Sequence, residues 1–172
     1  MHRTAEGARR YVDCRPDFRN AGLYRTIFDL QVSTLGIGTY LSACDDAADR
    51  GYTEALIAAG EGGINFFDTA VKYRQQRSER SIGAALQRLQ RDEIVICTKA
   101  GSLTPGTVPD FLQPDDVVGG MHSMSPRFLE DQIERSRAVA LVGMGRSEHV
   151  LENLGIARVA PATRDEYLKL YR

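Results

Sequence analysis

The segment Ile64-Asn65-Phe66-Phe67-Asp68-Thr69-Ala70-Val71-Lys72-Tyr73 joins a short apolar run to a carboxylate and a phenol. One predicted helix later, the β-branched run 94–98 ends beside Lys99. Continuous apolar runs are typical of strands covered on both faces, and strands that alternate with helices pair in parallel. In barrels of parallel strands, chemistry collects at the carboxyl ends of the strands. The sequence therefore predicts that Asp68, Tyr73 and Lys99 meet at one rim of a parallel sheet.

The length of the chain limits how much of a barrel it can form. It has 172 residues, whereas a closed (β/α)8 barrel needs about 250. At roughly 30 residues for each βα unit, it can hold about four units after its first ~30 residues. We therefore predict one α/β domain over residues 1–172, a partial TIM-type barrel with about four parallel strands.

Hydrophobic patterning places the elements of this partial barrel. Strands are predicted at 35–40, 64–67, 94–98 and 138–143. Helices are predicted at 47–61, ended by Gly62-Gly63, from a capping Ser78 onward, and over 126–137. The first 31 residues carry turn-forming residues and are predicted to be irregular, with a short amino-terminal hairpin within 26–33.

The connection between the last predicted helix and the strand 138–143 is abnormally short. No Gly, Pro, Asn or Asp separates the two elements, although helix-to-strand connections normally take two to six residues with a capping residue. The pattern indicates a deletion junction near 137–139. It divides the chain into amino-terminal barrel units, 25–137, and a final strand and helix, 139–172.

Composition excludes several classes of function. The formal net charge is −1, whereas nucleic acid and anionic membranes select a basic excess. The arginines around Glu79, Arg74 among them, fit a solvated helix face. The three cysteines show no metal-ligand spacing, so no metal site is predicted. No apolar stretch reaches 18 residues, and a cytoplasmic location is expected.

Several motifs in this order resemble those of the aldo-keto reductases, which are NADP-dependent carbonyl reductases built as eight-stranded barrels. The resemblance rests on four segments, namely 36–39, 63–73 followed by Ser78, Glu79 and Gly83, Thr98-Lys99, and 141–146 with Glu152-Asn153. Strands four to seven of the family, and with them the histidine of its catalytic tetrad, have no counterpart. Because strand eight neighbours strand one in the family's closed barrel, the resemblance implies that the retained strands lie in the spatial order 4-1-2-3. Neither His122 nor His149 occupies that histidine's motif, and Arg74 stands where the family usually has glycine.

The resemblance implies roles for individual residues. Tyr73 would be the general acid that protonates the carbonyl oxygen of the substrate, a small molecule, while hydride arrives from NADPH. Lys99 would favour the phenolate, since a nearby cation stabilises the charged form of a phenol, and Asp68 would hold Lys99. Gly38, Thr39, Tyr40 and Asp68 would line the nicotinamide end of NADP(H). Arg146 would pair with its 2′-phosphate, and Glu152 and Asn153 would contact its adenine.

Three interpretations stay open at the level of sequence. The chain is an NADPH-dependent carbonyl reductase, or a catalytically impaired module that binds a nucleotide or a partner protein, or an incomplete record of a full-length reductase. An open partial barrel would also leave unpaired strand edges, which favour association with another chain. The chain is therefore expected either to form a homodimer through those edges or to be marginally stable.

Overall fold

The computed structural model describes residues 4–104 and 108–138. The helices are α1 (Ala5–Asp13), α2 (Pro16–Asn20), α3 (Asp46–Glu61), α4 (Arg77–Ala85) and α5 (Pro126–Ala138). The strands are β1 (Tyr24–Ile27), β2 (Leu30–Ser33), β3 (Ile37–Gly38), β4 (Phe66–Asp68), β5 (Val95–Cys97), β6 (Val117–Val118) and β7 (His122–Ser123). Short 3-10 turns cover Tyr73–Gln76 and Pro114–Asp116. Across the described ranges, no helix is both long enough and apolar enough to span a membrane.

A three-stranded parallel sheet forms the centre of the fold. Its order is β3-β4-β5, with Gly38 opposite Asp68 and Asp68 opposite Cys97. Helices α3 and α4 pack against each other and cover the sheet with a common core, to which Leu56, Phe67, Ile82 and Ile94 contribute fully buried side chains. The α/β class is confirmed, and the described strands form an open sheet without a closed barrel.

The predicted fourth strand at 138–143 lies outside the described residues, apart from Ala138. That residue is the last one of α5. The place of a fourth strand beside β3, the suspected junction at 137–139 and the segment 139–172 therefore stay predictions. The long stretch before α5 also holds the small antiparallel hairpin of β6 and β7.

The prediction that the amino terminus is irregular was wrong. Helix α1 begins after Thr4, whose hydroxyl accepts a hydrogen bond from the Gly7 N–H at 2.8 Å, as an N-cap does. Its buried face includes Tyr11, whose hydroxyl donates to the Gly60 carbonyl at the end of α3. Pro16 is the first residue of α2, where its missing N–H costs nothing. The helix depends on this packing, because nine residues are too few for an isolated helix to be stable.

A buried asparagine fixes the hairpin of β1 and β2 against the sheet. The two strands pair antiparallel, as predicted. The amide nitrogen of Asn65 donates to the Gln31 carbonyl at 2.9 Å, and its carbonyl oxygen accepts from the Ser33 N–H at 2.8 Å. Because an unpaired buried polar group is unfavourable, Asn65 ties the hairpin to the entrance of β4.

The start of α4 differs from its prediction. Gln76, with a left-handed backbone, occupies the N-cap position, and Ser78 lies inside the helix. The Ser78 hydroxyl donates instead to the Thr39 carbonyl at 2.6 Å and links α4 to the end of β3. The capping rule considers only residues close in sequence, so it could not identify the Thr39 carbonyl as the acceptor of the Ser78 hydroxyl. The predicted stop after α3 agrees with the structure, since Gly63 has a φ of +107°.

Replacing Phe28 by glycine is expected to stabilise the protein by about 0.5–1 kcal/mol. Phe28 is the first residue of the two-residue turn between β1 and β2, has a φ of +55° and is 95% exposed. Glycine adopts a positive φ without steric strain. The free energy gained by relieving this strain in the folded state exceeds the stability lost because glycine raises the conformational entropy of the unfolded chain. Urea denaturation would measure the difference. Phe28→Ala, which keeps the β-carbon, should leave stability nearly unchanged, and equal midpoints for the two variants would contradict this explanation.

Candidate active site

The structure brings Asp68, Tyr73 and Lys99 together at the carboxyl ends of β4 and β5. The Lys99 Nζ donates to the Asp68 Oδ1 at 2.6 Å and to the Tyr73 Oη at 3.2 Å. It also donates to the Thr69 carbonyl at 2.9 Å. One ammonium therefore joins a carboxylate, a phenol and a carbonyl, and the sequence prediction that these three side chains converge agrees with the geometry.

Backbone hydrogen bonds extend the parallel pairing beyond the strands and fix this arrangement. The Thr69 N–H donates to the Cys97 carbonyl at 2.8 Å, and the Val71 N–H donates to the Lys99 carbonyl at 3.2 Å. The loop after β4 thus stays paired with the chain that carries Lys99. Since parallel strands end at the same edge of a sheet, Asp68 and Lys99 leave the core side by side.

The electrostatics of the site keep Lys99 protonated. Burial lowers the pKa of Lys99, but hydrogen bonds to Asp68 and Tyr73 outweigh it, and the net result is a pKa above the ordinary value. A free lysine loses its proton near pH ~10.4. The stabilisation from the ammonium is therefore complete below that pH, and it is lost as the pH rises through the raised pKa of the folded state. The site is half-open to solvent, so the effect on global stability is small.

The residues expected at the nicotinamide end, which lie around Asp68, Tyr73 and Lys99, differ in their exposure to solvent. Tyr40 is 60% exposed, and its ring packs on that of Tyr73 with 4.9 Å between centroids. A β-carbon on Gly38, which is paired with Asp68, would meet no atom within 4 Å. Thr39 is buried, and its hydroxyl donates to the Asp68 carbonyl at 3.0 Å. Gly38 and Tyr40 therefore face open space, while Thr39 holds the strand ends together.

An open trough leads along the sheet to Asp68. Its volume is about 520 Å³, and it runs from the hairpin residues Arg25 and Ile27 past Ile37 and Phe66. Its walls are mainly apolar, and the carboxylate of Asp68 lies among its lining residues. Apolar walls with a few convergent polar groups are typical of cofactor sites. The open space beside Gly38 is thus compatible with a nicotinamide.

The residues predicted for the adenine end, Arg146, Glu152 and Asn153, lie outside the described part of the chain. His149 does as well. His122 lies in β7 with an exposed side chain. The structure therefore bears on the nicotinamide end of the predicted cofactor site and not on its phosphate end.

Three features of the site were missed by sequence reasoning. The Thr69 carbonyl that binds Lys99 is a backbone group, for which no residue type gives a signal. Arg74 and Glu79 were expected to lie on a solvated face, but both are buried. Glu79 accepts hydrogen bonds from Thr98 and Ser136, both at 2.8 Å. The lack of lysine or arginine one turn from Glu79 on the inner face of α4 is the signal that could have indicated its burial.

Comparison with known proteins supports the family assignment. The model of the aldo/keto reductase family matches residues 34–139. A D-threo-aldose 1-dehydrogenase from a Pseudomonas species is 43% identical over 72 residues, which are 36% of this chain and 22% of that protein. An NADH-specific methylglyoxal reductase from Escherichia coli strain K12 is 35% identical over 78 residues, or 42% of this chain and 24% of its own.

The fold of this chain also resembles that of a solved aldo-keto reductase. The holo form of an aldo-keto reductase from Bacillus halodurans superposes with a TM-score of 0.50 and 28% identity, and the match covers 67% of this chain and 35% of that one. This chain thus spans about a quarter of the curated relatives and about a third of this solved structure. The family match covers well over half of the chain, and it includes β4 with Asp68, the turn with Tyr73 and the strand before Lys99. The chain belongs to the aldo/keto reductase family.

Proposed function

We propose that the protein reduces an aldehyde or a ketone with NADPH, and that Tyr73 is the general acid. The observation that carries this proposal is the contact of the Lys99 ammonium with both Tyr73 and Asp68, at 3.2 and 2.6 Å. A general acid must lie within hydrogen-bond reach of the group that accepts its proton. The Tyr73 hydroxyl ends at the open rim of the sheet, where a small carbonyl compound can approach it.

Each side chain has a distinct part in the proposed reaction. Tyr73 would donate its proton to the carbonyl oxygen of the substrate as that oxygen becomes negative. Lys99 would then stabilise the phenolate that remains, because it already donates a hydrogen bond to the Tyr73 oxygen. Asp68 and the Thr69 carbonyl would keep the ammonium charged and aimed at Tyr73.

The nicotinamide end of the cofactor would lie beside Gly38 and Tyr40. When bound, NADPH would supply the hydride that reduces the carbonyl carbon. We propose Thr39 and Asp68 as the support of this end, Arg146 as the ligand of the 2′-phosphate, and Glu152 and Asn153 as contacts of the adenine. The E. coli relative is NADH-specific by name, so both NADPH and NADH belong in the assay.

The Tyr73→Phe variant tests this function. Steady-state oxidation of NADPH at 340 nm with a panel of small aldehydes should fall by about 10²–10⁴-fold in the variant, because the proton donor is lost. The ring remains, so its packing on Tyr40 is kept. Quenching of protein fluorescence or enhancement of NADPH fluorescence should show similar cofactor binding in both proteins. Equal turnover by the variant and the wild type would exclude Tyr73 as the acid.

The short span of the chain favours one alternative, a catalytically impaired remnant that binds a nucleotide or a partner. It covers 22–24% of the two curated relatives, and the histidine of the family's tetrad has no counterpart. Cofactor binding without any turnover in the wild type would favour this alternative. If the chain is an incomplete record of a longer reductase, sequencing of the coding region across codons 136–140 would reveal the missing segment.

We also propose a cytoplasmic homodimer. In the described sheet, β3 and β5 are edge strands, and unpaired parallel edges favour association with another chain. Sedimentation equilibrium of the full chain would measure the mass directly. A monomer at micromolar concentration would contradict this part of the proposal without affecting the assignment of Tyr73.

A further inference from the structure

Arg74, the residue directly after Tyr73, has a buried guanidinium with four neighbours. Its Nε donates to the Ala43 carbonyl at 2.8 Å, and its Nη2 approaches the Asp45 carbonyl at 3.5 Å. Nη2 also pairs with the Asp49 carboxylate at 2.6 Å, and the group lies 4.9 Å above the ring of Tyr52. Only 1% of the side chain is exposed. Burial of a charge to this extent is unfavourable unless it is paired and hydrogen-bonded. Nε and Nη2 are bonded in this way, whereas Nη1 has no hydrogen-bond partner among the described residues.

The backbone of Arg74 adopts a conformation that favours glycine. The φ angles of Arg74, Gln75 and Gln76 are +50°, +56° and +67°. Residues with a β-carbon rarely take the left-handed region, and a run of three is maintained only where surrounding contacts enforce it. The side chain of Gln75 is exposed, and the Gln76 amide donates to the Glu79 carboxylate at 3.2 Å within the same region of the chain. The buried guanidinium of Arg74 is the described restraint that joins this turn to another loop.

These contacts connect two loops at the rim of the sheet. One is the segment 39–45, which leaves β3 and contains Tyr40, Ala43 and Asp45. The other is the turn that starts at Tyr73. Because the ring of Tyr40 packs on that of Tyr73, the two loops touch at the proposed active site itself. Arg74 holds them together from the buried side, while the two aromatic rings meet on the open side.

We propose that Arg74 is a positioning residue that locks the Tyr73 turn to the loop 39–45 and so keeps the phenol within reach of Lys99. The proposal rests on the proposed function of Tyr73 and goes beyond it. Arg74 does not touch the reacting atoms. It acts through the geometry of Tyr73, by a planar group that reaches two carbonyls and a carboxylate at once, which the compact ammonium of a lysine cannot do.

Three variants separate this role from a general effect on the fold. Arg74→Gly removes the guanidinium and relieves the left-handed backbone. Arg74→Lys keeps a positive charge near Asp49 but lacks the planar guanidinium. It tests the proposal if the glycine variant fails to fold. Arg77→Gln is the matched control, since Arg77 also pairs with Asp49, at 2.9 Å, and with Asp46 at the start of α3, but has no hydrogen bond to the loop 39–45 among the described contacts.

Hydrogen exchange measured by mass spectrometry tests the contact between the loops without any need for activity. In Arg74→Gly the segments 40–45 and 72–76 should lose protection by at least about tenfold, with Arg74→Lys between it and the wild type. Protection in Arg77→Gln should stay within about twofold of the wild type in both segments. Unchanged protection in both Arg74 variants would overturn the proposal, as would an equal loss in Arg77→Gln.

Kinetics then test whether the contact positions Tyr73. With NADPH and an aldehyde, Arg74→Gly should lower kcat by about 10- to 100-fold, because small displacements of a catalytic group have effects of this size. Rates are referred to the concentration of folded protein measured by circular dichroism, and Arg74→Lys should recover part of the lost kcat. A loss of kcat that disappears when the rate is referred to folded protein would overturn the positioning role. If the wild type shows no turnover, the proposed function fails, and hydrogen exchange still decides whether Arg74 joins the loops.

Discussion

Replacing Lys99 by methionine is expected to lower kcat for aldehyde reduction by about 10²–10⁴-fold, with little change in stability. Methionine keeps the unbranched shape of the side chain but removes the ammonium that contacts Tyr73, Asp68 and the Thr69 carbonyl. The phenolate left after proton donation would then have no cation beside it. Asp68 is partly exposed, so water can solvate its carboxylate and the fold is maintained.

Lys72 provides the matched control for this variant. It lies in the same loop, directly before Tyr73, and its side chain is exposed. Lys72→Met changes the net charge by the same amount, so it should reproduce any effect that depends on charge alone. Steady-state kinetics at pH 7 and a thermal melt of both variants separate the two effects. Similar losses of kcat in both would refute the specific role of Lys99.

Replacing Phe67 by alanine is expected to destabilise the protein by about 3–5 kcal/mol, the usual cost of truncating a buried aromatic residue. Phe67 is the middle residue of β4, the central strand of the described sheet, and it is fully buried in the core with Leu56, Ile82 and Ile94. A domain has about 5–15 kcal/mol of stability in total. A large share of the free energy of unfolding would therefore be lost. Urea denaturation followed by circular dichroism would measure the change.

Phe28→Ala is the control for that substitution, since it removes the same atoms from a side chain that is 95% exposed. Its free energy of unfolding should stay within about 0.5 kcal/mol of the wild type. A Phe67→Ala variant that lost less than about 1 kcal/mol would show that β4 is not the centre of the core, because a truncation there should leave a cavity.

Local patterns predicted the elements that carry the site. The apolar runs before Asp68 and Lys99 indicated strands, and the two predicted helices at 47–61 and 126–137 agree closely with α3 and α5. These signals are local, because a strand covered on both faces must be apolar along its whole length. Amphipathic helices repeat their apolar residues within a few turns, which is equally visible in sequence.

The errors concern residues whose state depends on distant partners. Helix α1 is too short to be stable alone. Its Tyr11 stabilises it only in the folded chain, where the Tyr11 hydroxyl donates to the Gly60 carbonyl. Ser78 had the residue type of a cap, but its acceptor is the carbonyl of Thr39. Arg74 and Glu79 looked like surface charges because their partners lie in other elements.

The sequence by itself determined the α/β class and the three side chains of the site, since the apolar runs set which residues follow a parallel strand. Only the tertiary structure decided that one ammonium bridges Asp68, Tyr73 and the Thr69 carbonyl, and that a buried arginine ties the loops of the rim together. The physical reason is the separation in sequence over which each feature is determined. Burial periodicity is encoded within a few residues, whereas hydrogen bonds of buried charges depend on distances between segments that only the folded chain brings together.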